Sequence, residues 1–158
     1  MKNLHQGRYQ LKNPEKYEGD SSNIIFRSSW EKRLMVFFDQ HPSILSWGSE
    51  ELVVPYFWEA DGKHHRYFPD FMVTMMTPKG KVRVMIEVKP YSQTQEPKKT
   101  KGKREKTFIN EVLTYTKNQA KCKAAEEFCL DRGWHFRIIT EKEIFKNEKA
   151  WWEWIPKK

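Results

Sequence analysis

The sequence predicts an α/β fold, a mixed β-sheet flanked by helices in the order α-β-β-β-α-β. Three observations predict it. Trp30, Leu34, Phe37 and Phe38 recur at i, i+4, i+7 and i+8, the apolar stripe of a helix lying on a core. Two runs rich in β-branched, aromatic and Met residues, 67–76 and 81–90, flank Thr77-Pro78-Lys79-Gly80, a tight hairpin connection. A long amphipathic segment, 107–131, then precedes a strand at 134–139, so the last strand pair is expected to be parallel with a right-handed crossover.

In chain order, residues 1–23 are polar and hold Gly7, Pro14, Gly19 and Asp20-Ser21-Ser22-Asn23. They read as an arm that takes its order from DNA or a partner. The first helix is expected to start at Ser28 or Ser29 and to end at His41-Pro42. A strand is expected over 52–58, and Asp61-Gly62 marks a turn. His64 and His65 beside that turn read as solvated or as phosphate contacts. After the hairpin comes a basic loop, 96–106, with six basic and two acidic residues, a composition that argues against a packed core. The second helix carries Phe108, Val112, Tyr115, Cys122, Ala125 and Cys129 on one side, and Gly133 is a natural cap beyond its end. Thr140 and Glu143 form a capping box for a short third helix. The domain is thus expected over 24–147. Residues 148–158, with Trp151, Trp152 and Trp154, form a tail that either packs on the domain or serves as a sticky contact.

Composition narrows the function. The 158 residues suit one domain. Lys and Arg total 29 against 21 Asp and Glu, a net charge of +8, which favours a polyanionic partner, nucleic acid before anionic membrane. A basic enzyme with no such partner explains the charge equally well. No run of about 18 apolar residues exists to span a bilayer, and Met1 to Gln6 lack the apolar stretch of a signal peptide. Cys122 and Cys129 make no Cys/His cluster and read as reduced, buried thiols.

The chemistry lies in the hairpin. If Met76 joins Lys81 across the turn, paired residue numbers sum to 157 and Asp70 stands opposite Glu87, with Cβ atoms about 4.5–5.5 Å apart. Period-two alternation puts Lys89 on the same face. Phe71, Val73, Val84, Ile86 and Val88 form the opposite, core face. Two carboxylates this close repel unless a cation lies between them. Mg²⁺ or Mn²⁺ meets that need, lowers the pKa of a bound water and polarises a phosphate, and Lys89 can neutralise developing charge. Asp70, Glu87 and Lys89 therefore have the parts for phosphodiester hydrolysis, with Asp70 and Glu87 as metal ligands. An exposed polar hairpin face would also contain such residues. However, Phe68-Pro69-Asp70-Phe71 and Val82-Arg83-Val84-Met85-Ile86-Glu87-Val88-Lys89 set the charges among apolar neighbours, where they are costly without a function.

These same segments, Tyr67-Phe68-Pro69-Asp70-Phe71 and Ile86-Glu87-Val88-Lys89, resemble the signature of the PD-(D/E)XK nucleases, and most of all its TnsA-like branch. Ser29-Trp30-Glu31 resembles the branch's upstream helix Glu. Trp47-Gly48-Ser49-Glu50 through Pro55-Tyr56 resembles its W-x-S-E-x-x-x-x-P-Y segment. Ala124-Ala125, Arg132-Gly133 and Ile138-Ile139-Thr140-Glu141 resemble its later motifs. Asn13-Pro14, Lys16-Tyr17, Gly19-Asp20 and Phe26-Arg27-Ser28-Ser29-Trp30-Glu31 are similar to bacteriophage members of the branch that finish DNA-filled heads. The resemblance implies a restriction-endonuclease-like fold, metal-dependent DNA cleavage with Glu31 as a further catalytic and metal-binding residue, and a place in virions and host cytoplasm. It also implies head or portal proteins as partners.

From the residues alone, Glu31 serves a capping box with Ser28 as readily as a metal. Glu50 is a rim acid or a polar residue at a strand start. Lys98, Lys99, Lys101, Lys103 and Arg104 are expected to contact DNA phosphates without regard to sequence. Two other functions stand beside nucleolysis in head completion: a non-catalytic DNA-binding plug on the same fold, and a restriction or transposon-end nuclease.

Overall fold

A computed structural model describes residues 6–146. Two short strands, β1 (Gly7–Arg8) and β2 (Ile25–Phe26), pair antiparallel ahead of helix α1 (Ser29–Gln40). The Ser28 hydroxyl caps α1 by accepting the Glu31 N–H, and the helix stops at His41, before Pro42. Strand β3 (Ile44–Ser49) follows, then a hairpin of β4 (Val54–Trp58) and β5 (Lys63–Tyr67), then the hairpin β6 (Phe71–Thr77) and β7 (Gly80–Val88). Helix α2 (Glu105–Arg132), strand β8 (His135–Ile139) and helix α3 (Glu141–Lys146) complete the described chain. Gly133 ends α2 at φ 73°, a left-handed backbone that favours glycine.

The central sheet has the order β3-β6-β7-β8. Its β7–β8 pair is parallel and the others are antiparallel, so the mixed sheet and the crossover through α2 are as expected. Alternation sorts each strand between two cores. Phe71, Val73, Val84 and Ile86 meet Leu34, Met35 and Phe38 of α1 and Ile144 of α3. Met72 and Met85 meet Ala125 and Cys129 of α2 and Val54, Tyr56 and Tyr67 of the β4–β5 hairpin.

Several expectations change in detail. The first strand of the sheet is β3, which the sequence reading passed over. Ser46, Gly48 and Ser49 dilute its β-propensity, yet Trp47 is fully buried. The strand expected over 52–58 leaves the central sheet and pairs only with β5. Pro55, which has no N–H, suits such a two-stranded ribbon. The single run expected over 67–76 is two strands, broken at Phe68-Pro69-Asp70. His64 and His65 lie in β5 rather than in a turn. His65 bonds Asp61 at 2.7 Å and stacks on Tyr56. The hairpin loop is two residues, Pro78 and Lys79, because Thr77 pairs with Gly80, and the expected register survives.

The arm is folded over its described part. Asp39 of α1 is completely buried and accepts from the Tyr9 hydroxyl at 2.8 Å, the Lys12 N–H at 2.8 Å and the Asn13 N–H at 3.0 Å. Asn13 returns a bond to the Asp39 carbonyl at 2.7 Å. Tyr9, Leu11 and Tyr17 pack on the α1 core. Asp39→Ala would strand three donors, at roughly 1–3 kcal/mol for each one left buried. We expect it to cost about 3 kcal/mol and to open residues 9–13 to proteolysis. Urea denaturation with a loss under about 1 kcal/mol would refute the anchor. The Trp-rich tail lies outside the described residues.

Candidate active site

The register that pairs Phe71 with Ile86 continues to Asp70 and Glu87 at the open end of the β6–β7 hairpin. Both carboxylates stand on the α2 side of the sheet, in line with Met72 and Met85. Glu31 comes from the helix on the other side, over the strand ends. Arg27, Ser28, Glu31, Asp70, Glu87 and Lys89 line one cleft, and Gln6 and Gln93 contribute to its wall. All four residues expected to act in catalysis are therefore brought together.

Asp70 is half-buried and accepts the Val88 N–H at 2.8 Å. Burial and then Glu87 push its carboxyl well above the usual carboxylate range. Glu31 and Glu50 add to this, and the Val88 N–H opposes it. Glu87 accepts the Tyr67 hydroxyl at 2.5 Å through one oxygen, and its other oxygen lies 3.6 Å from the Lys89 ammonium. The Glu87 and Lys89 side chains are 13% and 12% exposed, so water screens their pair weakly. The Lys89 N–H bonds the Ile139 carbonyl at 3.0 Å, which ties this residue to β8.

Glu31 forms the expected cap with Ser28 and also lines the cleft. Its N–H bonds the Ser28 hydroxyl at 3.2 Å, and that hydroxyl donates to the Glu31 carboxylate at 3.2 Å. Burial raises its pKa, against the Arg27 N–H and the Ser28 hydroxyl. Glu50 is a rim acid. It pairs with Arg27 at 3.1 Å and donates its N–H to the Asp70 carbonyl at 3.2 Å. Its φ of 55° is a left-handed conformation that strains a non-glycine residue, a frequent mark of a working site.

Among the described residues, no three His, Cys, Asp or Glu side chains are grouped to hold an ion by themselves. The donor set nevertheless fits Mg²⁺ or Mn²⁺, because Mg²⁺ needs only one or two carboxylates and keeps several waters. Asp70 and Glu87 supply that pair, and burial together with the neighbouring Glu87 disfavours a bare charge on Asp70, which a cation there would offset. Glu31 shares the cleft without completing a three-carboxylate set.

The sequence reading missed several neighbours. Tyr67 holds Glu87. Lys121 of α2 is half-buried, and burial lowers its pKa, with Lys89 adding to the shift while Glu87 and Asp70 oppose it. The thiol of Cys122 is raised by burial in the field of Lys89 and Glu87. A signal for Lys121 was present: it falls four residues before Ala125 and eight before Cys129, on the stripe read as apolar.

The expected phosphate-binding loop is mixed. Lys98, Lys99, Lys101 and Arg104 are exposed. Lys103 instead pairs with Glu111 at 2.7 Å and bonds the Lys98 carbonyl at 2.8 Å, and Lys99 donates to the Lys103 carbonyl. Part of this charge therefore staples the loop to α2. Gln93 lines both the cleft that holds Asp70 and Glu87 and the groove beside the loop.

Comparison with known proteins points the same way. The TnsA-like endonuclease N-terminal family matches residues 41–141, which include Asp70, Glu87 and Lys89 but not Glu31. The head completion nuclease of Enterobacteria phage T4 is 42% identical over 142 residues, covering 87% of this chain and 91% of that protein. Among the described residues, no helix is long and apolar enough to cross a membrane.

Proposed function

This chain belongs to the TnsA-like endonuclease family, and from that premise we propose that it is a divalent-metal-dependent endodeoxyribonuclease of the PD-(D/E)XK type. Its role is in completing phage heads after DNA packaging, as the name of its phage T4 relative suggests. It would then work in the host cytoplasm and the virion, against DNA and beside head or portal proteins.

The observation that carries the reading is the cross-strand pair Asp70 and Glu87, with the Asp70 carboxyl forced upward and Lys89 alongside. Mg²⁺ or Mn²⁺ between these carboxylates would supply a water activated for attack and a Lewis acid for the scissile phosphate. The chain's own groups do the rest. Tyr67 fixes the rotamer of Glu87 through its 2.5 Å bond. The Val88 N–H holds one Asp70 oxygen and leaves the other for the cleft. Lys89 exchanges part of its attraction to Glu87 for the charge that builds on the phosphate oxygens. Burial raises the Glu31 pKa, so its ionised carboxylate is a stronger base for a proton released in the cleft.

Incubating supercoiled plasmid with the pure protein tests this. Nicked circles are expected with Mg²⁺ or Mn²⁺ and none with EDTA. DNA binding without nicking at any metal concentration would favour the non-catalytic plug.

A further inference from the structure

We propose that Lys117 and Lys121 of α2 form a phosphate track that holds the substrate strand beside the Asp70–Glu87 pair, an inference that rests on DNA being the substrate. Positions 117, 121, 125 and 129 follow one another at four-residue steps and share a helix face. Ala125 and Cys129 are buried in the core between α2 and the sheet. The two earlier positions on the same face are lysines.

Both lysines lie over the β4–β5 hairpin. The Lys121 ammonium is 5.6 Å from the Tyr67 ring centre and 6.0 Å from that of Tyr56. The Lys117 ammonium is 5.2 Å from the Trp58 ring. Tyr56 and Trp58 alternate along β4, and Tyr67 is paired with Val54, so the three rings share one hairpin face. The row begins at Tyr67, whose hydroxyl is bonded to Glu87, and runs outward to the hairpin tip. One helical turn, about 6 Å, separates the two lysines.

Both lysines are half-buried, and among the described residues neither forms an ion pair with a carboxylate. Other cations at the cleft do, Lys89 with Glu87 and Arg27 with Glu50. The carboxylates nearest Lys121 are already engaged by Tyr67, Lys89 and the Val88 N–H. A partly desolvated ammonium without a counter-ion is unfavourable. Aromatic faces offset some of that cost and fix its position, which leaves it ready for an anion arriving from solvent. An ammonium is a point charge without the fork that reads base edges, so this track is blind to sequence.

Binding of fluorescent duplex in EDTA, between about 50 and 200 mM salt, separates the track from packing. Lys117→Met and Lys121→Met keep the stems on the rings and remove only charge. The double variant should melt near the parent and lose about 0.9 in log–log salt slope per lysine, equally on two unrelated sequences. Each single variant should lose half as much. Lys117→Arg with Lys121→Arg should retain the slope, and Lys79→Met, at the opposite end of the β6–β7 hairpin, should not change it. An unchanged slope in the folded double variant, or in both singles, overturns the track and leaves the nuclease reading standing. Conversely, a parent that never nicks plasmid overturns the nuclease reading, while the slope, measured without turnover, still decides the track.

Discussion

Asp70→Asn is expected to abolish metal-dependent nicking, by at least about a hundredfold, and at the same time to raise the melting temperature of the metal-free protein. The first effect follows because Asn brings no charge to the Asp70–Glu87 pair. The second follows from the burial of the Asp70 carboxylate and then from its crowding by Glu87, Glu31 and Glu50. A carboxyl whose folded pKa is raised is most compatible with folding when protonated. Its favourable share is complete below the unfolded value near 3.9 and is lost as pH rises through the higher folded value. Above that pH the parent carries the strain and Asp70→Asn does not. The melting-temperature gap should therefore open as pH rises out of the acid range and close when Mg²⁺ is added to the parent. Melting curves from acid to neutral pH, with and without metal, measure it. A parent and variant with identical melting at every pH would refute the electrostatic account, and surviving nicking in Asp70→Asn would refute the site.

Glu31→Gln should cut the nicking rate at least tenfold, about 1.4 kcal/mol of transition-state stabilisation, while changing stability by only about 0.3–1 kcal/mol. Gln can still bond the backbone N–H groups at the α1 start, so the cap survives. What is lost is the ability to take a proton in the cleft. Ser28→Ala gives the reverse pattern, because it removes the hydroxyl that accepts the Glu31 N–H. About 1 kcal/mol of stability should go, with a much smaller loss of rate. Nicking at the parent rate in Glu31→Gln would reduce Glu31 to a capping residue.

The parts of this molecule legible in the sequence are those where period and turn chemistry agree. Ser28, His41 and Pro42 bounded α1 because a cap and a proline act locally. The residue sum across Pro78 and Lys79 placed Asp70 against Glu87 because a tight hairpin fixes register along both strands. Tertiary partners were less legible. Strand β3 is held by the burial of Trp47 rather than by propensity. The hairpin β4–β5 left the sheet because α2 takes up its inner face. Asp39, a charge within a helix, gave no hint that three donors from the arm converge on it. Lys121 was hidden because a stripe reading assigns its positions to packing, whereas here a cation occupies one. The opposite error occurred at Lys103, where a loop read as a reservoir of free charge spends one ammonium on Glu111.

The parallel β7–β8 pair also sets a time order. Glu87, Val88 and Lys89 leave the ribosome before α2, but their second strand neighbour is made only after all of it. Until β8 arrives, β7 exposes an unpaired apolar edge, Val84 to Val88, open to the wrong partner. Pairing across so long a separation in sequence is slow compared with closing the β6–β7 hairpin. The hairpin can therefore bring Asp70 and Glu87 together early, while Lys89 is fixed only when β8 docks. A nascent chain would thus hold Asp70 against Glu87 before the Lys89 N–H finds the Ile139 carbonyl of β8.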